Sequence, residues 1–146
     1  MAYPADLADP QVRLTLLGLL NERLGELNTT LGIRFTDAAP GRLEATMPVA
    51  GNRQPYGLLH GGASCVLAET LGSVAAGIHA GEDGVPVGVD LNATHHRAAR
   101  EGIVTGVCTP LHEGRSTATY AIEITDPDGH RICTARITCQ LLRRKL

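Results

Sequence analysis

Aromatic side chains are scarce in this sequence, which has no Trp, one Phe and three Tyr. A core built from it must be filled by aliphatic and small side chains, and 17 glycines let backbones approach closely. Neither charge sign dominates: 13 Lys and Arg against 15 Asp and Glu leave a net charge of -2, so no nucleic-acid partner is expected. The four cysteines, at 65, 108, 133 and 139, form no CxxC pair and have no zinc-type spacing to His. No metal and no cofactor are therefore expected, and reduced thiols in the cytoplasm are the simplest reading. The first eleven residues lack the basic-then-apolar pattern of a signal. The longest charge-poor stretch, 60–81, contains Glu69 and five glycines, which argues against a membrane span. GxSxG, P-loop and GxGxxG motifs are missing, which leaves serine hydrolase, NTPase and dinucleotide readings without support.

What is present suits one domain over residues 1–146, with no internal repeat or linker. Asp9 and Pro10 read as the N-cap and first position of a helix over residues 10–27, with Leu14, Leu17, Leu20, Leu24 and Leu27 as its apolar stripe. Strands are expected at 31–36 and at 42–49, where Leu43, Ala45, Met47 and Val49 alternate with polar neighbours. A second helix, 61–80, is apolar over most of its circumference and ends at Gly81, which implies burial. Everything after it reads as strand and turn. Val85, Val87, Val89, Leu91 and Ala93 are expected on one face, and three further strands follow, joined largely by hairpins. This order predicts an α+β fold, an antiparallel sheet wrapped around a long central helix. One sheet on one helix leaves an edge strand uncovered, and dimerisation would cover it.

Chemistry-bearing residues gather around the second helix. Glu69 is its only Asp, Glu, Lys or Arg. An unpaired carboxylate buried there costs several kcal/mol, so Glu69 is either a functional acid or the occupant of a single solvated stripe. Ser73 lies one turn on, on the same face, and Cys65 one turn back, so no cation on this helix can pair with it. His60-Gly61-Gly62 stands at the helix start, where free amides suit an oxyanion, although a plain flexible helix start has the same sequence. His95, His96, Arg97 and Arg100 cluster at a strand end and fit either a phosphate clamp or a solvated end. The polar turn His112 to Thr117, with Arg115 and Ser116, is equally open. Cys65 could serve as a nucleophile, but no neighbouring base is evident in the sequence.

The run from Asn52 through Gln54, His60-Gly61-Gly62 and Glu69 to Ser73 resembles the hotdog thioesterase superfamily in its Glu-type 4-hydroxybenzoyl-CoA thioesterase branch. The segments Asn92 to Arg97 and Gly106 to Arg115 look closest to dihydroxynaphthoyl-CoA thioesterases and enterobactin-proofreading thioesterases. The resemblance covers nearly the whole chain after about residue 30 and implies the hotdog fold. It also implies hydrolysis of a bulky, aromatic acyl-CoA (hydroxybenzoyl-, dihydroxynaphthoyl- or phenylacetyl-type). Glu69 would be nucleophile or general base, and Gln54 and His60 would act at the thioester. The Gly61 amide would be the oxyanion donor, and Ser73 would orient water or carboxylate. Gly88, His95, His96, Arg97, His112, Arg115, Ser116 and Thr117 match positions that line the acyl pocket or hold CoA. The site is expected between subunits of a homo-oligomer, a dimer of hotdogs assembled into a tetramer, with Glu69 also within reach of the amides at the start of its own helix. A non-catalytic CoA-thioester-binding module and a hotdog hydratase are the alternatives.

Overall fold

The computed structural model describes residues 7–143; the stretch 1–6, where a signal pattern was judged missing, and residues 144–146 lie outside it. Helix α1 (Pro10–Glu22) starts as its sequence requires: the Asp9 carboxylate accepts from the Gln11 amide at 2.7 Å, and Pro10 occupies the first turn. The helix does not run on to residue 27. It ends at Glu22, and a short α2 (Glu26–Leu31) follows Gly25, whose φ of +78° few side-chain-bearing residues adopt. Asn21 holds the break by bonding both the N–H and the C=O of Phe35, at 2.9 Å each. The leucine stripe is re-sorted accordingly: Leu16 and Leu20 are buried, while Leu14 and Leu27 are exposed. Because α2 includes Leu31, strand β1 begins later than expected, at Arg34–Ala39.

Strands β2 (Arg42–Pro48), β3 (Gly84–His95), β4 (Ile103–Glu113), β5 (Thr117–Thr125) and β6 (Arg131–Arg143) complete one antiparallel sheet in the order β1-β2-β4-β5-β6-β3. Hairpins join β1 to β2, β4 to β5 and β5 to β6. Strand β3 instead crosses to the far edge and pairs with β6, so β1 and β3 are the open edges. The alternation in β2, β5 and β6 buries Leu43, Ala45 and Met47, then Ala118, Tyr120, Ile122 and Ile124, then Cys133, Ala135, Ile137 and Cys139. The ring of Tyr120 is enclosed, and its hydroxyl donates to Glu113 Oε1 at 2.8 Å. Burial, with the Glu113 carboxylate beside it, pushes that hydroxyl's pKa up, so the phenol stays neutral.

The sheet wraps α3 (Gly61–Ala80), which is long and apolar enough to cross a membrane but is the core helix of this fold, with Leu67, Ala68, Leu71 and Gly72 among its buried residues. Contact with β6 is so close that a Cβ on Gly72 would lie 2.0 Å from Ile137 Cγ2. Full burial of Leu67, Leu71 and Ile137 stabilises the layer by roughly 1.5–3 kcal/mol each.

Strand β3 departs from simple alternation. Its register with β6 slips between Gly88 and Asp90, so Val89 is an extra, bulged residue. Gly88 pairs with Cys139, and beyond the bulge Leu91 pairs with Ile137 and His95 with Cys133; Cys139, Ile137 and Cys133 are all buried on the face toward α3. The single face expected for Val85 to Ala93 is thus broken: Val87 and Val89 are 44% and 65% exposed, while Leu91 and Ala93 are half-buried.

Candidate active site

Two groups of polar residues lie at different levels along α3. The first surrounds the start of the helix. His60 is the N-cap, and its Nδ1 accepts from the Gly62 amide at 2.8 Å, so the ring proton sits on Nε2. The Ala63 and Ser64 amides donate to the His60 carbonyl at 2.9 and 3.3 Å. The Gly61 N–H has no acceptor among the described residues, at the positive end of the helix dipole. The His95 ring lies against Gly61: a Cβ there would be 2.8 Å from Nε2. Gln54 is held by a turn, with its N–H bonded to the Leu58 carbonyl at 2.8 Å and its Oε1 accepting from the Tyr56 amide. That leaves the Gln54 side-chain N–H2 group for an open cleft of about 380 Å³ that also meets Gly61, Ser64, His95 and Arg97.

The second group lies farther along. Ser73 Oγ donates to Glu69 Oε1 at 3.2 Å, and Glu69 is half-buried. The Gly88 backbone abuts the same carboxylate, and Ser73 also meets the thiol of Cys139 beneath it. Burial first, with the negative charge of Glu69, pushes the Cys139 thiol's pKa up against the Ser73 hydrogen bond, so Cys139 stays neutral. Cys65 is half-buried and hydrogen-bonded to no base among the described residues.

Glu69 is eight residues from Gly61 (69 − 61), roughly 12 Å along the axis at 1.5 Å per residue. The same-helix arrangement expected from sequence is therefore wrong: one chain does not bring its own Glu69 to its own Gly61. The two segments expected to hold CoA are separated too. His95 and Arg97 sit at the start of α3, and His96 Nε2 is 2.9 Å from Thr134 Oγ1. The turn after His112 sits at the other end, where His79 Nε2 meets the Gly114 carbonyl at 2.9 Å and the Leu141 amide bonds the Ser116 carbonyl at 2.8 Å. Arg115 there lines a different cleft with Gly84, Leu141 and Arg143. The 20 residues of α3, about 30 Å, lie between these segments.

Sequence reasoning gave no functional role to Arg53, to Cys139 or to the cluster on the β5–β6 hairpin. Arg53 donates twice to the Arg100 carbonyl, at 3.1 Å, beside the first group, and makes no ion pair among the described residues. Arg100 belongs to the strand-end cluster with His95, His96 and Arg97. Cys139 could have been found from its inward place in β6, but only once β3 was known to lie beside that strand. Asp126, Asp128 and His130 offer three ligand atoms within 4.8 Å, on the hairpin between β5 and β6. The Asp126 carboxylate is already taken there by the amides of Asp128 and His130, at 3.0 and 2.8 Å.

A continuous antiparallel sheet closed around one long helix, with an acid midway along that helix and a free amide at its start, is the hotdog architecture of thioester hydrolases. The profile of the Thioesterase superfamily matches residues 56–133, and the chain belongs to that family. It is 47% identical over 130 residues to the proofreading thioesterase EntH of Klebsiella pneumoniae, covering 88% of this chain and 95% of that one. The solved thioesterase of Haemophilus influenzae superposes with a TM-score of 0.85 at 37% identity, over 87% of this chain and 90% of its own. Two single-residue variants of one Staphylococcus aureus thioesterase, a glutamate-to-alanine and a glutamine-to-alanine form, superpose with TM-scores of 0.77 and 0.75 at 31% and 30% identity. They cover 82% and 79% of this chain, and 100% and 97% of their own. This protein is a thioester hydrolase.

Proposed function

We propose that the protein hydrolyses a bulky, aromatic acyl-CoA, using Glu69 of one protomer against Gln54, His60 and Gly61 of a second. The observation that carries this reading is the placement of Glu69. It is the only acid on α3, it accepts a hydrogen bond from Ser73, and it faces β3, an edge strand with exposed valines and no strand on its outer side among the described residues. A second chain laid antiparallel along that edge would bring a free Gly61 amide toward each Glu69 and Arg115 toward His95 and Arg97 of the other chain. Support also comes from spacing: Gln54 and Glu69 are fifteen residues apart, and the glutamine and glutamate replaced in the Staphylococcus aureus variants are also fifteen apart in their own chain.

The thioester carbonyl oxygen would rest on the Gly61 N–H, which favours the charge that develops as a nucleophile adds. Glu69 would either attack the carbonyl carbon itself, expelling CoA thiolate and leaving a mixed anhydride that water cleaves, or take a proton from an attacking water. Both routes consume one water and give acid and CoA. Small residues at Ala63, Ala68, Gly72 and Gly88 leave room for a ring. Four free thiols suit a cytoplasmic enzyme. A pair of such dimers would make the tetramer.

In a free-thiol assay over aromatic, naphthoyl and aliphatic acyl-CoA esters, Glu69→Ala is expected to lower kcat by roughly three orders of magnitude or more while substrate still binds. Retention of most activity in a folded Glu69→Ala protein would falsify the mechanism. Faster turnover of aliphatic than of aromatic esters would overturn the substrate class.

A further inference from the structure

We infer that Gly88 is a positioning residue, the seat in which the bulged edge strand β3 holds the Glu69 carboxylate. This rests on the mechanism proposed above and moves Gly88 from the substrate's surroundings to the acid's. A Cβ built on Gly88 would lie 2.4 Å from Glu69 Oε1 and 3.4 Å from its Cδ, closer than any side chain could be without moving the carboxylate. The backbone at Gly88 does not have positive φ, so the conformation itself admits alanine. What glycine supplies at this position is space.

The bulge at Val89 gives that space its direction. Residues 88 and 95 are seven apart, and in an unbroken strand an odd separation puts two residues on opposite faces. With Val89 as the extra residue, Gly88 presents its empty side to Glu69 while His95 still faces Gly61. One strand thus serves both groups of the site. The remaining sides of the seat are Ser73, whose hydroxyl bonds the same Oε1, and the buried thiol of Cys139, the register partner of Gly88. Beneath them, the close contact of Gly72 with Ile137 fixes the height of α3 over β6 one turn from Glu69. Among the described residues the carboxylate is therefore confined by backbone and small side chains rather than by an ion pair, which leaves its charge for the reaction.

The test is a double-mutant cycle of Gly88→Ala and Glu69→Asp, with kcat and KM measured for each protein on one aromatic acyl-CoA. Gly88→Ala should lower kcat at least tenfold with KM changed less than threefold. The same substitution should cost far less in the Glu69→Asp background, where the shorter side chain withdraws from the added methyl group. Wild-type kcat in Gly88→Ala overturns the seat, as do equal losses in both backgrounds or a loss confined to KM. If Gly88→Ala alone does not fold, recovery of a folded protein on adding Glu69→Asp supports the collision. Failure of both proteins to fold assigns Gly88 to the strand and overturns the proposal. Glu69→Ala reports separately on the mechanism: an inactive Glu69→Ala with a fully active Gly88→Ala refutes only the seat.

Discussion

Glu69 has few polar neighbours, and each makes a distinct demand on the chemistry. Ser73 is its one hydrogen-bond donor among the described residues, at 3.2 Å, so Ser73→Ala should lower kcat by about tenfold with little effect on KM, read from steady-state kinetics. Arg97 is exposed and makes no ion pair among the described residues. Arg97→Ala should raise KM for CoA thioesters more than for short N-acylcysteamine thioesters, which lack the phosphates; equal changes on both would remove Arg97 from phosphate binding. Residue types and spacing were enough to single out Glu69, Ser73 and the His60-Gly61-Gly62 run, because an acid in an apolar helix and glycines at a helix start are conspicuous in one dimension; Gln54, a loop residue, stands out only through the family resemblance. The role of Gly88 was not legible. A missing side chain leaves no pattern until the atom that fills its space is known, and that atom belongs to a residue 19 positions away (88 − 69).

At the scale of the element, the sequence located α3 and most strands well, because long apolar periodicity and Gly or Pro turns are local signals. It went wrong where one residue changes the phase. Gly25 splits the expected N-terminal helix, and the Val89 bulge turns half of β3 over. Both depend on partners distant in sequence: Asn21 bonding the backbone of Phe35, and β6 setting the register of β3. Glycine also governs how tightly the layers meet. Gly72→Ala would drive a methyl group into Ile137, and a loss of about 1–3 kcal/mol in urea unfolding is expected. Unchanged stability would mean that α3 can lift from the sheet at no cost.

For the whole molecule, the proposed mechanism places each catalytic site between chains, since Gly61 and Glu69 of one chain are about 12 Å apart on α3. Mixing Glu69→Ala protomers with Gln54→Ala protomers should therefore restore activity, since each mixed dimer regains one intact site; random reassortment predicts about a quarter of wild-type kcat. No recovery after verified subunit exchange would place both residues in one chain's site. Buried thiols set a second global property. Burial pushes Cys108 to about 12 and Cys133 to about 11, against an ordinary value of 9.0. A raised native pKa leaves stability intact below the unfolded value and removes it as pH climbs toward the native one. The urea midpoint should fall steadily from about pH 9 to pH 11–12, and a flat profile there would contradict the burial of these cysteines.

The sequence by itself determined α3 and most of the strands, the apolar faces of β2, β5 and β6, and the acid at the centre of α3, because these follow from short-range periodicity and from the high cost of an unexplained charge in an apolar helix. Only the tertiary structure decided that β3 crosses to the far edge and that its bulge presents Gly88 to Glu69 and His95 to Gly61. Those facts depend on strand order and register, which arise when the whole sheet closes around its helix and leave no trace in the spacing of neighbouring residues.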